Sequence, residues 1–280
     1  MSQDWIAVDW GRSRQRAWAM RGTDVRDHRQ QHATTENLAG WLSDWLTSDQ
    51  NLVLACGVLG PVGNAVPCKP LSEGLWSIDI GAPRIELRVI PGLRQSAPLD
   101  LMQGDETRVE GFLALNKNWD GVICLVGEET RWVHVSAGEI VSFQSFLTGA
   151  MFDALVNGRL SVHRLADVQT DRTAFAAALS DAMAKPERVM ARLHEAHAAR
   201  ILDGLEPAEA RARLLGALIG AELAAARPFW LGQQLAVVGD GELATLYVDA
   251  LSEQGAPAAL ADESRVTLEG LKSAWRQLTG

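Results

Sequence analysis

The sequence predicts a mixed α/β protein built from two similar units, and two patterns lead to that prediction. A short apolar run over residues 6–8 precedes a polar turn containing Gly11 and a second apolar run over 17–20, an order typical of strand, tight turn and strand. The same order returns after Gly121, where an apolar strand leads into a glycine-bearing turn and two more strands. The repetition predicts an internal duplication of a β-β-β-α-β unit.

Composition and charge restrict the classes of function. The chain has 280 residues, of which 47% are hydrophobic and 22% charged, as expected for a globular protein of one large domain or two ordinary ones. The formal net charge is −9 and no Lys/Arg-rich run occurs, so nucleic acids and anionic membranes are disfavoured as partners. We therefore expect a local cluster of hydrogen-bond donors to meet any anionic small molecule.

Hydropathy and cysteine usage indicate the compartment. No uninterrupted apolar segment of about 18 residues occurs, so no transmembrane helix is expected. Asp4 and Asp9 interrupt the apolar region that a signal peptide would need. Cys56, Cys68 and Cys124 have no CxxC spacing, which argues against disulfides and structural zinc. The cytoplasm is the expected compartment.

The first polar turn is a candidate for phosphate chemistry. Asp9 ends the first strand, and a carboxylate at a strand end can hold a hydrated Mg²⁺. Backbone N–H groups around Gly11, the Ser13 hydroxyl and the Arg16 guanidinium can receive phosphate oxygens. A plain β-hairpin with a polar turn is the alternative interpretation.

A glycine- and proline-rich stretch over 57–70 is expected to be a long loop. It contains Gly57 and Gly60 and follows a predicted parallel strand, so it is either a binding loop or an ordinary surface excursion. The other elements predicted for this part are an edge strand over 25–33, a helix over 38–46 with Thr35 as its N-cap, a buried parallel strand over 51–56, and short strands over 75–79 and 85–90.

A glycine and two acids open the next predicted helix, over residues 104–115. Asp105 and Glu106 fall in its first turn, where the helix dipole stabilises negative charge. One interpretation is therefore helix capping. The other is a carboxylate held in place as a general base.

The second half is expected to be rich in helix. A buried strand over 235–238 runs into a Gly-Asp-Gly turn, which offers N–H groups to phosphates, although a tight strand-to-helix connection needs glycine in any case. His194 and His197 lack a third ligand nearby and the HExxH order, so solvated histidines are expected rather than a metal site. An alanine-rich helix over 208–227 could pack internally or against a second copy, which leaves a homodimer open. The remaining predicted elements are helices over 145–156, 172–183, 187–202 and 242–254, a strand over 256–261 and a helix from Val266.

Several short motifs occur in one order along nearly the whole chain. They are DWGRSRQRAW at 9–18, GVLG at 57–60, PGL at 91–93, LMQGDET at 101–107, FLTGAMF at 146–152, GALIGAE at 216–222 and GDGELATLY at 239–247. In this order they resemble the motifs of the 2-keto-3-deoxygalactonokinases, a family within the sugar kinase, hsp70 and actin superfamily. A resemblance of this extent is far more specific than any single motif.

The resemblance implies two ribonuclease-H-like lobes of the actin-like ATPase fold with a central cleft, a sugar-side lobe over 1–115 and a nucleotide-side lobe over 116–280. It implies ATP and Mg²⁺ as cofactors, and phosphorylation of 2-dehydro-3-deoxy-D-galactonate or a related keto-deoxy sugar acid at its terminal hydroxyl. Asp105 or Glu106 would take the hydroxyl proton, and Asp9 would organise Mg²⁺. The resemblance further implies cofactor contacts by Asp9, Gly11, Ser13, Arg16, Gly127, Thr130, Thr148, Gly149, Gly239 and Gly241, and sugar-acid contacts by Arg16, Gly57 and Gly60.

Departures from the family's motifs bear on activity. Glu128 and Glu129 stand in the second phosphate turn, where two carboxylates would repel a triphosphate unless Mg²⁺ or Arg131 compensates. Arg12 replaces a small hydroxyl residue and Ala150 replaces an acid. Two other functions therefore stay open: a kinase relic that binds nucleotide or sugar acid without transferring phosphate, and a phosphohydrolase of the exopolyphosphatase kind.

Overall fold

The computed structural model describes residues 4–33, 37–60, 62–72, 74–157 and 165–280. The chain divides into two compact units. The first comprises Met1–Asp120, His134–Phe143 and Ala261–Gly280, and the second comprises Gly121–Val133 and Gln144–Leu260. None of the helices in the described ranges is long and apolar enough to cross a membrane.

Strands dominate the first half of the chain and helices the second. The strands are β1 (Asp4–Trp10), β2 (Arg14–Arg21), β3 (Asp24–His32), β4 (Asn51–Cys56), β5 (Val62–Ala65), β6 (Trp76–Ile78), β7 (Ile85–Val89), β8 (Gly92–Ser96), β9 (Leu99–Met102), β10 (Gly121–Leu125), β11 (Thr130–Ser136), β12 (Glu139–Phe146), β13 (Leu235–Val238) and β14 (Ala258–Ala261). The α-helices are α1 (Leu38–Trp41), α2 (Asp105–Leu115), α3 (Thr148–Asn157), α4 (Arg172–Ala184), α5 (Val189–Leu202), α6 (Pro207–Ala225), α7 (Arg227–Trp230), α8 (Gly241–Glu253) and α9 (Glu263–Thr279).

The first unit contains a six-stranded sheet in the order β3-β2-β1-β4-β7-β6. Strands β1 and β2 pair antiparallel, with Asp9 opposite Arg16, and β4 pairs in parallel with both β1 and β7. The predicted hairpin, the polar edge strand and the buried parallel strand are therefore confirmed. Asp9 lies where β1 and β4 end side by side, the end of a parallel pair at which α/β proteins bind ligands.

A second sheet in the order β12-β11-β10-β13-β14 contains the strands that follow. Its β10 and β13 pair in parallel, as β1 and β4 do. Both sheets thus have the same order: three strands that are consecutive in the chain, and then a strand that pairs in parallel with the first of them. This confirms the predicted repetition of one unit. Helix α6 lies close against α4, because a Cβ on Gly220 would fall 2.6 Å from Leu179 O.

The closing helix α9 packs within the first unit. Its Leu271 and Ala274 belong to the same buried cluster as side chains of β1, β2 and β4. A Cβ on Gly111 of α2 would lie 1.8 Å from Val266 O, and one on Gly270 would lie 2.0 Å from Thr107 O. Only glycine permits this approach of α2 to α9. The boundary near residue 115 between two functional lobes stays a prediction.

The expectation of one long loop over 57–70 is wrong. Strand β5 lies within that stretch and pairs in parallel with β8, which pairs antiparallel with β9, so the three form a separate small sheet. Cys68 also forms an isolated bridge with Ile140. Strand β5 has only four residues, mostly with small side chains and without clear alternation, and its pairing depends on a partner distant in sequence.

The helix expected over 38–46 is shorter than predicted. Only Leu38–Trp41 is α-helical, followed by a 3₁₀ turn over Ser43–Trp45. Asn37 caps it by accepting from Gly40 N at 2.8 Å, and the predicted cap Thr35 lies outside the described residues. Gly40 lowers helix propensity within this single turn, which explains why the apolar spacing alone overestimated its length.

Candidate active site

The carboxyl end of β1 carries a buried ion pair. Asp9 is 1% exposed and Arg16, opposite it on β2, is 4% exposed. Arg16 donates from Nε to Asp9 Oδ2 at 3.2 Å, and its Nη2 lies 3.0 Å from the same oxygen. The antiparallel register of the hairpin therefore brings two predicted site residues together.

A second arginine, which the sequence did not single out, reaches the same carboxylate from α2. Arg108 Nη2 donates to Asp9 Oδ2 at 3.2 Å, and Nη1 donates to Asp105 Oδ1 at 3.0 Å. Its Nε donates to Glu263 Oε1 at 3.0 Å. Burial opposes the charged form of Arg108, but Asp9 and Glu263 outweigh it and raise the pKa. The guanidinium is therefore charged and joins three carboxylates.

Glu263, in the first turn of α9, completes the cluster. Its carboxylate accepts a hydrogen bond from Arg14 and lies 3.0 Å from Arg16 Nη2. Asp9, Arg16, Glu263 and Arg108 thus alternate in sign around a closed ring, called the charge ring below. Burial alone would raise the pKa of Glu263, but Arg108, Arg16 and Arg14 together lower it to about 2.

The two acids at the start of α2 have different surroundings. Glu106 is fully buried and accepts from Gly104 N at 2.8 and 2.9 Å and from the Thr107 hydroxyl at 3.2 Å. Burial raises the pKa of Glu106 to about 7 against these hydrogen bonds. The side chain of Asp105 is 15% exposed and pairs with Arg108. Glu106 therefore stabilises the start of α2 by hydrogen bonds, whereas Asp105 remains in contact with solvent.

Glycines whose backbone packs closely against neighbouring segments lie near these two acids. Gly57 has φ +75° and Gly104 has φ +105°, and a Cβ on Gly104 would lie 3.1 Å from Gly57 Cα. A Cβ on Gly57 would lie 3.0 Å from Trp10 O. These two glycines let the end of β4 approach both β1 and the start of α2. Gly60 has φ +120° and open space around its Cβ position.

The turn between β1 and β2 is tight. A Cβ on Gly11 would lie 2.4 Å from Arg14 O, so a larger residue would open the turn. The Ser13 carbonyl accepts from Ala33 N at 2.8 Å, and the residue is exposed. Gly11 and Ser13 therefore lie beside the charge ring, with the Ser13 side chain towards solvent.

In the second unit, the turn after β10 packs on the start of α3. A Cβ on Gly149 would lie 2.0 Å from Gly127 O, and Ala150 N donates to Glu128 O at 2.8 Å. The predicted residues Gly127 and Gly149 therefore meet through their backbones. Any side chain at Gly149 would separate the two segments.

Glu129, in the same turn, has a cationic partner. Arg131 Nη2 donates to Glu129 Oε2 at 2.8 Å, and Arg131 Nε donates to Ser145 Oγ at 2.7 Å. The side chain of Arg131 is 3% exposed. Of the two acids that would repel a triphosphate, Glu129 is thus compensated by Arg131, which reduces the repulsion expected from the sequence.

A buried carboxylate connects Thr130 to Thr148. Glu222, on α6 and 3% exposed, accepts from Trp132 Nε1 at 2.8 Å through Oε1 and from the Tyr247 hydroxyl at 2.7 Å through Oε2. The Thr148 hydroxyl donates to the same Oε2, and Tyr247 OH lies 3.1 Å from Thr130 Oγ1. Burial raises the pKa of Glu222, and its three donors oppose that rise.

The Gly-Asp-Gly turn leads from β13 into α8. A Cβ on Gly239 would lie 3.0 Å from Ala244 Cβ, whereas Gly241 has φ +70° and open space around its Cβ position. The turn therefore lies at the N-terminus of a long helix, where N–H groups favour phosphates.

His194 and His197 lie on α5 with ring centroids 6.0 Å apart. Across the described ranges, no group of three or more His, Cys, Asp or Glu residues could hold a metal.

Comparison with known proteins identifies the family. Residues 9–274 match the model of the family described as 2-keto-3-deoxy-galactonokinase. The chain belongs to this family. It is 28% identical over 273 residues to the 2-dehydro-3-deoxygalactonokinase of Escherichia coli (strain K12), covering 91% of each protein. It is 31% identical over 199 residues to a protein assigned as the same kinase in Rhizobium meliloti (strain 1021). This match covers 69% of this chain and 65% of the relative, so the chain spans just under two thirds of the relative's length.

A solved structure agrees with this assignment. A crystal structure from Sinorhizobium meliloti, assigned as a 2-dehydro-3-deoxygalactonokinase, matches with a TM-score of 0.88 and 26% identity, covering 98% of this chain and 96% of that one. The chain therefore shares the fold of that protein, and its two sheets of the same strand order agree with the actin-like ATPase fold expected from the sequence.

Three residues of the candidate site were missed from the sequence. Arg108 lies three positions after Asp105, a helical spacing that places both on one face, so this contact had a detectable signal. Glu222 ends the GALIGAE motif, but a carboxylate in an apolar helix gave no indication of its partners. Glu263 looks like an ordinary acid in a first helical turn.

Proposed function

We propose that this chain is an ATP-dependent kinase that phosphorylates 2-dehydro-3-deoxy-D-galactonate, or a related keto-deoxy sugar acid, at its terminal hydroxyl. Family membership supports the reaction class, and the names of the relatives supply the substrate. The observation that carries the proposal is the Asp105–Arg108–Asp9 arrangement, a partly exposed carboxylate joined by one guanidinium to a buried one. The cytoplasm, where ATP is available, is the compartment that we expect.

Asp105 is the proposed general base. A base must reach the substrate hydroxyl within hydrogen-bond distance, and the Asp105 side chain is partly exposed whereas Glu106 is fully enclosed. The Glu106 carboxylate is also occupied by Gly104 N–H. We therefore assign proton removal to Asp105 and the anchoring of α2 to Glu106.

Arg16 and Arg108 are the proposed counter-charges for the transferred phosphoryl group. Phosphoryl transfer depends mainly on positioning and on neutralising the oxygens of the transferred group, and guanidinium groups suit phosphate geometry. Arg16 is held by two carboxylates and Arg108 by three, so their orientation is set before substrate binds. Gly57, Gly60 and Arg16 would contact the sugar acid, as the family resemblance implies.

Asp9 is the proposed magnesium ligand. Mg²⁺ usually takes one or two protein carboxylates and completes its shell with water and substrate phosphates, and Asp9 supplies a hard oxygen ligand at the end of β1. Bound Mg²⁺ would neutralise phosphate charge and help to orient the nucleotide. ATP would be held by the second unit, through Gly127, Thr130, Thr148, Gly149, Gly239 and Gly241.

A coupled ADP-release assay tests the proposal. Purified protein with Mg²⁺-ATP is given a panel of 2-keto-3-deoxy sugar acids that differ in stereochemistry at the remaining hydroxyl carbons. We expect ADP release that depends on one or a few of these acids, matched by an equal amount of phosphorylated acid in the mass spectrum. ATP without any acid is the control for hydrolysis.

Two outcomes would contradict the kinase. If no acid supports turnover while ATP or a sugar acid still raises the melting temperature, the protein is a binding relic. If phosphate is released at the same rate with and without sugar acids, the protein is a phosphohydrolase.

A further inference from the structure

One buried carboxylate touches three separate segments of the second unit. Glu222 accepts from Trp132 on β11, from Thr148 at the start of α3 and from Tyr247 on α8. The Tyr247 hydroxyl is also hydrogen-bonded to Thr130 Oγ1, at the start of β11, at 3.1 Å. Each contact is fully enclosed, because all five residues are at most 5% exposed.

These segments are the ones that carry the predicted nucleotide turns. Thr130 and Trp132 follow the Gly127 turn, Thr148 precedes Gly149, and α8 begins at the Gly-Asp-Gly turn. The first two turns also touch directly, because Ala150 N donates to Glu128 O at 2.8 Å. The third is joined to them by Tyr247.

The hydrogen-bonding chemistry of the cluster requires an acceptor-only group. Trp132 Nε1 is a donor only, and both hydroxyls point a proton at the same carboxylate oxygen in this arrangement. A carboxylate satisfies all three donors. A glutamine would place its NH₂ group against at least one of them, so the cluster would have to rearrange its hydroxyl protons.

We propose that Glu222 is a positioning residue of the nucleotide site. It holds the three predicted nucleotide turns, at Gly127, at Gly149 and at residues 239–241, in fixed positions relative to one another, and it does not contact the nucleotide. The inference rests on the proposed binding of ATP by the second unit. Loss of Glu222 would leave Thr148 and Tyr247 free to reorient. The three turns would then lose the hydrogen-bond acceptor that they share, and their relative positions would change. The sugar-acid contacts in the first unit would stay intact.

Variants Glu222→Ala and Glu222→Gln test this role, with Leu179→Ala as the matched control. Leu179 is fully buried in the same core cluster and makes none of these hydrogen bonds, so its truncation lowers the melting temperature through packing alone. Two quantities are measured for each protein: the steady-state KM for ATP and for the sugar acid, and the Kd of a fluorescent ADP analogue, mant-ADP, with Mg²⁺ by titration.

For Glu222→Ala we expect KM for ATP and Kd for mant-ADP to rise by about tenfold or more, because small misplacements of binding groups have effects of this size. KM for the sugar acid should change less than twofold. For Glu222→Gln, KM for ATP and Kd for mant-ADP should lie between those of wild type and Glu222→Ala, since glutamine keeps the shape of glutamate and one of its acceptor oxygens. Leu179→Ala should leave both nucleotide constants near the wild-type values.

The inference is wrong if Glu222→Ala and Leu179→Ala raise the nucleotide Kd equally, or if KM for the sugar acid rises as much as KM for ATP. Failure of the proposed kinase looks different. In that case wild type shows no sugar-dependent turnover, yet mant-ADP binding still weakens when Glu222 is replaced.

Discussion

Glu263 Oε2 lies 3.0 Å from Arg16 Nη2, which joins the first turn of the last helix to the second strand of the chain. Arg16 is also bound to Asp9, so Glu263 fixes the orientation of the guanidinium that neutralises the carboxylate at the end of β1. A residue near the end of the chain therefore completes the site that the first twenty residues begin. The close packing of α2 on α9 makes this possible.

Replacing Asp105 by asparagine should reduce kcat by about 10²- to 10⁴-fold, the usual contribution of a general base. Substrate binding should change little, because the amide keeps the size and one oxygen of the carboxylate. Steady-state kinetics with saturating ATP measures the loss. Asp44→Asn, at a side chain that is 80% exposed, is the matched control and should retain full activity. A kcat within threefold of wild type for Asp105→Asn would assign the base elsewhere.

Glu106 should make the protein less stable as the pH rises from about 4.5 to about 7. Its pKa is raised from 4.5 to about 7 by burial, so the folded state holds this proton more tightly than the unfolded state. The stabilisation by protonation is fully present below 4.5 and is lost as the pH rises through 7, about 3 kcal/mol in all. The measurement is the melting temperature of wild type minus that of Glu106→Gln, from pH 4.5 to 8. A difference that does not fall across this range would contradict the prediction.

Glu263 should have the opposite effect at acid pH. Its pKa is lowered from 4.5 to about 2 because Arg108, Arg16 and Arg14 outweigh burial, so its stabilisation is present above 4.5 and is lost as the pH falls towards 2. The full effect is about 3 kcal/mol. Melting temperatures from pH 7 to 3 should therefore fall more steeply for wild type than for Glu263→Gln.

A glutamate on the same helix provides the control for Glu263. Glu269 pairs with Lys272 at 2.8 Å, so Glu269→Gln alters an ion pair of α9 outside the charge ring. It should reproduce the wild-type acid profile. Equal slopes for wild type and Glu263→Gln would show that the charge ring does not stabilise the fold.

Gly111→Ala should separate α2 from α9. The new methyl would lie 1.8 Å from Val266 O and 2.7 Å from Gly270 N, and backbone cannot yield as a side-chain tip can. We expect a loss of about 1–3 kcal/mol, as for other overpacked contacts, and a fall in kcat because Glu263 moves away from Arg108. Thermal melts and steady-state kinetics measure both effects.

The control for Gly111→Ala is Leu115→Ala. Leu115 lies in the last turn of α2 and is 40% exposed, so its truncation should change stability and kcat only slightly. Full activity and wild-type stability of Gly111→Ala would contradict the close packing of the two helices.

Part of the site could be predicted because it is local. Asp9 and Arg16 are joined by a short hairpin, and the tight turn at Gly11 sets their register. Asp105 and Glu106 were both predicted as candidates, but their roles depend on burial. Glu106 turns back to Gly104 and is enclosed, whereas Asp105 meets Arg108, and no periodicity of the sequence distinguishes two adjacent acids.

The sequence by itself determined the repeated α/β unit, the first hairpin, the start of α2 and the family, because these follow from local periodicity, turn residues and motif order. Only the tertiary structure decided that Glu263 joins Arg16 and Arg108, that Glu222 joins three turns, and that β5 pairs with β8. These contacts link residues far apart in the chain. They depend on how closely helices and strands approach, and that distance is set by the packing of the whole core.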